Sequence, residues 1–260
     1  MRGWALPLAL LALVSFATQV VRTELPELPT VPLRPPPVDP DVLAKLLARL
    51  QPGWPRHVDC GRAKCVALTF DDGPGKRTGR LLDLLRERDA KATFFVVGEM
   101  VAADGGRTVQ RIVADGHELG NHSWSHPALS ELTRKELHRE LRHTGRLVHR
   151  LTGVTMRVMR PPYGLTDKHV AAEARRAGMA QILWNVDTFD WRDRQPKIVA
   201  RRAGRAKPGS IILMHDIHRT TVKAVPALLD ALERKGFTFV TVSDLYGDRS
   251  PLPGRKYTRR

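Results

Sequence analysis

Short apolar runs recur along this chain with amphipathic stretches between them, and that rhythm constrains its fold more than any other feature. The runs lie at 65–70 (CVALTF), 92–97, 117–121, 157–160, 181–186, 210–214 and 238–242. Leucines and valines at helical spacing fill several gaps: Leu81, Leu82, Leu84 and Leu85; Leu137, Leu141, Val148 and Leu151; Val225, Leu228, Leu229 and Leu232. Such alternation predicts parallel strands with crossover helices, in a barrel or a doubly wound sheet. Polar residues cluster just past the runs: Asp71 and Asp72, His122, Arg160, Asp187 and His215. In α/β barrels that end of the strands carries the chemistry, so these distant residues are expected to converge on one mouth.

The N-terminal part reads differently. Residues 1–17 have the form of a secretory signal peptide, with Met1-Arg2, a largely apolar stretch from Trp4 to Ala17 and a small-x-small Ser15-Phe16-Ala17. An uncleaved anchor reaching Val21 is the alternative. Residues 18–40 form a spacer, with seven prolines between Leu25 and Pro40. Residues 41–59 hold a short amphipathic helix pattern and a lead-in. Residues 60–247 are the expected folded domain, and 248–260 a basic tail expected to be disordered. The reading is of a secreted or wall-associated protein, membrane-anchored if the signal is uncleaved. In an exported chain Cys60 and Cys65 are expected to form a local disulfide. A metal site would need more soft ligands nearby.

Charge matters here because of export. The chain has 43 Lys and Arg against 27 Asp and Glu, a formal net of +16. Such a surface is drawn to polyanions. Outside the cell an anionic wall polymer is the expected partner rather than nucleic acid, and no stable protein partner is expected beside a monomer. Lys135, Arg139, Arg142, Arg146 and Arg150 make a basic stripe opposite the Leu137/Leu141/Val148/Leu151 face; a solvated helix face explains it as well as docking does.

Asp71-Asp72 in TFDDGP offers one carboxylate for a metal and another for protons, or a plain turn. His122 and His126 in HSWSH sit four apart, which on a helical turn puts both imidazoles on one side. With Asp72 they make a two-His, one-carboxylate set with room for water. Arg160 in the stiff RPPYG loop suits a two-bond grip on a carboxylate. DTFDW (187–191) pairs acids with aromatics, and His215 is a natural general acid. His57, His117, His138, His143, His149, His169 and His218 lack such context and are read as surface or packing residues.

TFDDG, HSWSHP, RPPYG, DTFDW and LMH in this order resemble the five motifs of the polysaccharide deacetylase family, the NodB-homology carbohydrate esterases, over about residues 62–247. The resemblance implies an α/β fold, a distorted (β/α) barrel with about seven parallel strands. It implies a metal-dependent hydrolase removing N-acetyl groups from N-acetylglucosamine-containing glycan. Peptidoglycan is the leading substrate; chitin oligosaccharide, acetyl-xylan or an inactive wall-binding protein are the alternatives. By motif, Asp71 is the implied base and Asp72, His122 and His126 the metal ligands. Arg160 is implied to orient Asp71, and the Tyr163 N–H to face the oxyanion. Asp190 is implied to hold the acid His215, and Trp191 and Leu213 to wall the substrate pocket. The implied ion is zinc, with cobalt or nickel as alternatives. Asp187 carries no assigned role.

Overall fold

The computed structural model describes residues 58–260. The expected signal peptide, the spacer, the 41–50 helix pattern and His57 lie outside them. In chain order the strands and helices are β1 (Lys64–Asp71), α1 (Thr78–Arg86), β2 (Thr93–Val96), α2 (Gly98–Ala103), α3 (Arg107–Ala114) and β3 (Glu118–Asn121). There follow α4 (Arg134–Thr152), β4 (Val158–Met159), α5 (Lys168–Arg176), β5 (Ala180–Ile182), β6 (Val186–Asp187), α6 (Asp190–Asp193) and α7 (Pro196–Ala203). The last elements are β7 (Ile211–His215), α8 (Arg219–Glu233), β8 (Phe237–Val240), α9 (Val242–Tyr246) and β9 (Lys256–Tyr257).

The strands form one sheet in the order β6-β7-β1-β2-β3-β4-β5-β9, with β8 also paired to β1. Every strand pairing is parallel. The sheet curls: Arg259, past β9, bridges Ser210, ahead of β7, so the two ends of the path meet. The result is the expected distorted α/β barrel, with nine strands where about seven were expected. The 181–186 run breaks at 183–185 into β5 and β6, and the C-terminal residues add β9.

Alternation along β1 sorts its side chains into two cores. Val66, Leu68 and Phe70 pack outward under the helices with Leu81, Leu85 and Leu228. Cys65 and Ala67 face the inside of the curl with Phe95, Ile182 and Ile211. A strand covered on both faces reads as a near-continuous apolar run, which is why CVALTF was legible. Helix α4 starts at a full capping box between Thr133 and Glu136 and stops at Gly153, whose φ of 73° suits glycine. Lys135, Arg139, Arg142, Arg146 and Arg150 all lie on its exposed side.

Residues 248–260 are not disordered. Gln181 pairs with Lys256 and Ile182 with Tyr257. The Tyr246 hydroxyl donates to the Arg259 carbonyl at 2.7 Å, and Arg260 N–H donates to Gly209 O at 2.9 Å. The charges of this tail hid the physical need it meets: without it β5 would be an open sheet edge. Cys60 and Cys65 are disulfide-bonded, with Cα atoms 5.4 Å apart. No helix among the described residues is long and apolar enough to cross a membrane.

Candidate active site

β1 ends on Asp71, whose side chain faces the inside of the curl beside Thr69. Arg160 lies directly after β4 and is completely buried. Its Nη1 donates to Asp71 Oδ1 at 2.7 Å and to Thr69 Oγ1 at 2.8 Å. Its Nε and Nη2 donate to the carbonyls of Ile182 and Leu183, at 2.9 and 3.1 Å, and the guanidinium lies 4.2 Å from the Phe95 ring centre. The expected two-bond grip is therefore replaced by a single bond to the carboxylate. The other donors are taken by backbone across the concave face, so Arg160 ties β1 to the end of β5.

Asp72 turns away from its neighbour because its φ of 71° is left-handed, a conformation aspartate tolerates better than most residues. Its Oδ1 lies 3.4 Å from His122 Nε2 and 3.2 Å from His126 Nε2. The two histidines do not reach this place on a helix. Residues 122–126 are a loop, with left-handed φ at Ser123 and His126. Asn121 Oδ1 accepts from Ser123 N–H, and Glu140 of α4 accepts from Trp124 N–H, Ser125 N–H and the Ser125 hydroxyl. The polar backbone of the loop is thus satisfied by the neighbouring helix.

Three observations show that these residues fit a metal ion. Asp72 Oδ1 is buried without a hydrogen-bond partner. His122 Nδ1 bonds the Arg160 carbonyl at 2.7 Å, so it carries the proton and leaves the Nε2 lone pair free. The ligand atoms of Asp72, His122 and His126 all lie within 4.8 Å of one another. A tetrahedral ion with ligands about 2.1 Å away separates them by about 3.4 Å. Burial would raise the Asp72 pKa, but the two imidazoles outweigh it and hold the carboxyl far below its usual range.

His215 ends β7, in register with Asp71. Its Nδ1 lies 2.9 Å from Asp190 Oδ1, and its N–H donates to Asp190 Oδ2 at 2.7 Å. The Thr221 hydroxyl donates to the same Oδ2 at 2.6 Å. Burial would raise the Asp190 pKa, yet these partners keep it below the usual range. Burial alone would lower His215; the Asp190 bond, with the charges of Asp190, Asp71 and Asp72, pushes it up to about 9.

A cavity of about 540 Å³ opens over these groups, lined by Asp71, Asp72, His122, His126, Tyr163, Trp184, Asp187, Trp191, Leu213 and His215 among others. Tyr163 and Trp191 project into solvent at its rim, 65% and 46% exposed. Every candidate named from the motifs converges here or directly behind it. Asp187 now has an observed contact: its Oδ1 accepts from Phe189 N–H at 2.7 Å, which steadies the left-handed turn into α6.

Several contributors escaped the sequence analysis. Trp184, Thr221 and Glu140 lie outside the motifs, and Thr69, inside TFDDG, drew no role from them; all act across long separations. Asp216 is fully buried behind the Asp72-Gly73 turn, where burial pushes it up to about 7. It accepts from the Thr78 hydroxyl. A Cβ on Gly73 would stand 2.5 Å from its Oδ2, so only glycine fits that approach. The DGP sequence was a signal for this turn, but nothing announced the carboxylate behind it.

The polysaccharide deacetylase family pattern matches residues 59–182. Peptidoglycan-N-acetylglucosamine deacetylase PgdA of Listeria monocytogenes is 38% identical over 222 residues, covering 84% of this chain and 47% of that protein. The chain thus spans about half the length of that curated relative. A chitin deacetylase of Colletotrichum lindemuthianum is 34% identical over 220 residues, covering 79% of this chain and 89% of that protein. Among solved structures, the T48 deacetylase with substrate superposes with a TM-score of 0.74 at 43% identity, covering 77% of this chain and 99% of that one.

Proposed function

The chain belongs to the polysaccharide deacetylase family, and on that premise we propose that it hydrolyses N-acetyl groups on N-acetylglucosamine units of a wall glycan, with peptidoglycan as the substrate. The observation that carries this reading is the meeting, in one cavity, of an orphaned Asp/His/His ligand set with two differently held acid–base groups. The relatives that act on peptidoglycan and on chitin support the acetamide class of substrate.

In the proposed reaction Asp71 accepts a proton as water adds to the acetyl carbon. Arg160 holds that carboxylate in place through a buried, charge-assisted hydrogen bond. The Tyr163 N–H donates to the oxygen that becomes negative as the carbonyl is attacked. The carbon–nitrogen bond then breaks, and His215 gives its proton to the departing amine, so that acetate and a free amino sugar leave. Leu213 and Trp191 border the place of the acetyl methyl and the sugar. Asp72, His122 and His126 hold a divalent cation, zinc by the mix of imidazole and carboxylate donors, which polarises the acetyl carbonyl and acidifies the attacking water when bound.

Acetate release from purified peptidoglycan, chitin oligomers and O-acetyl xylan tests the reading, with chelator and then with added zinc. Release from peptidoglycan, lost on chelation and restored by zinc, is expected. No acetate from any of the three after zinc addition would overturn it.

The pH dependence follows from His215. An imidazole pushed up to about 9 stays protonated through the neutral range, so activity falls as pH rises through that value. In Asp190→Asn the principal raising partner is gone, and the alkaline limb should move down toward the ordinary imidazole value of 6.5. A kcat–pH profile checks this, and an unmoved limb would remove His215 from the acid role.

A further inference from the structure

We propose that Arg194 and His218 form a carboxylate-binding subsite at the rim of the active site, so that the enzyme favours glycan carrying an acidic group near the acetylated sugar. This rests on the deacetylase reading above and names the chemistry that the site selects.

Arg194 follows α6, the short helix that carries Asp190 and Trp191. It sits at φ 51° and ψ 28°, a left-handed conformation that non-glycine residues adopt uncommonly. Two side-chain bonds hold it there. Nε donates to the Trp191 carbonyl at 2.8 Å, and Nη1 donates to His218 Nδ1 at 2.6 Å. A side chain held through Nε and Nη1 does not sweep the surface, and it leaves Nη2 and the second Nη1 hydrogen to bond elsewhere. Neither of these has an acceptor among the described residues.

The nearby carboxylates are already committed. Asp193 pairs with Arg192 and Arg202. Asp190 accepts from His215, Thr221 and Trp191 N–H. Asp187 accepts from Phe189 N–H. Arg194 therefore has no carboxylate within ion-pair distance among the described residues, although three aspartates lie within seven positions of it in the chain.

The place is informative. The His218 ring lies 5.9 Å from that of His215, the group assigned to protonate the departing amine. Burial, then the Arg194 charge, hold His218 below its ordinary range. A neutral imidazole accepting at Nδ1 carries its proton on Nε2. The pair thus combines a fixed cation, bonded to the Trp191 carbonyl, with a neutral donor beside His215. A planar guanidinium matches a carboxylate through parallel hydrogen bonds and gains nothing comparable from sugar hydroxyls. Chitin offers only hydroxyls and acetamides. Peptidoglycan offers a carboxylate on the sugar's ether-linked lactyl group where the peptide is absent, and peptide carboxylates where it is present.

The test compares kcat/KM for acetate release from three tetrasaccharides: a peptide-free muramyl-containing glycan, its peptide-bearing form, and chitin tetraose. In Arg194→Gln the ratio of acidic to neutral substrate should fall about 10-fold, through KM, because the contact forms in ground and transition states alike. Arg194→Lys should restore part of the ratio, as a point charge lacks the fork. The acidic substrate whose ratio falls identifies the carboxylate as lactyl or peptide. An unchanged ratio, or an equal loss on all three substrates, would overturn the subsite and leave the deacetylase reading intact. No acetate from any substrate with the wild-type protein would overturn that reading and the subsite with it. Thermal unfolding of each variant verifies its fold.

Discussion

Asp71→Asn lowers kcat for acetate release by about a thousandfold while the protein still binds zinc. General-base catalysis contributes roughly 10²–10⁴ in rate, and asparagine removes the proton acceptor without removing the shape. Its carbonyl oxygen can still accept from Arg160 Nη1, so the ligand set one residue away keeps its support. The same substitution has a second effect. Arg160 is wholly buried and Asp71 is only 2% exposed, so Arg160 loses its direct ion-pair partner inside the fold. Breaking a buried pair from one side costs about 3–5 kcal/mol in general, and the neutral isostere should bring the loss toward the lower figure. Acetate release, metal content and thermal unfolding measured on one sample separate the two effects. Turnover near wild type would take the base role from Asp71.

His122→Ala abolishes acetate release by a different route, through loss of the cation. His122 is 2% exposed and is anchored at Nδ1 by the Arg160 carbonyl. Its Nε2 is one corner of the three-residue ligand set. Losing an outer partner of a metal ligand typically costs 10–100-fold in affinity or activity, and losing the ligand itself should cost more than 100-fold. Equilibrium dialysis with zinc reads that loss directly. His126→Ala, at the half-buried corner, should be milder because water can enter the vacated position. A His122→Ala protein that binds zinc as tightly as wild type would exclude this histidine from the ligand set.

Asp71, Arg160 and His215 were legible because each sits at or directly after a strand end, where the apolar run stops. Asp71 and His215 announce themselves this way and end up in register on adjacent strands. His122 and His126 were legible for a wrong reason. Their spacing suggested a helical turn, but a loop with two left-handed residues brings them together. That loop depends on Glu140, a residue that in sequence is just one more acid on an amphipathic helix. Arg160 was assigned to the right partner with the wrong geometry, since its other acceptors are backbone carbonyls that no side-chain pattern encodes. The strand at 256–257 was hidden because edge protection is a property of the folded sheet, and its basic residues read as solvated.

Arg160 also has a consequence for how this protein becomes active. Its guanidinium touches residues from β1 and from the end of β5, whose strands are separated in the sheet by β2, β3 and β4. The Asp71 carboxylate is therefore aligned only once the sheet has curled enough for one side chain to span its hollow. Arg160 thus joins the proposed chemistry to closure, alongside the Ser210–Arg259 bridge, so a chain with its strands paired but its sheet still flat would hold every motif and have no reaction centre.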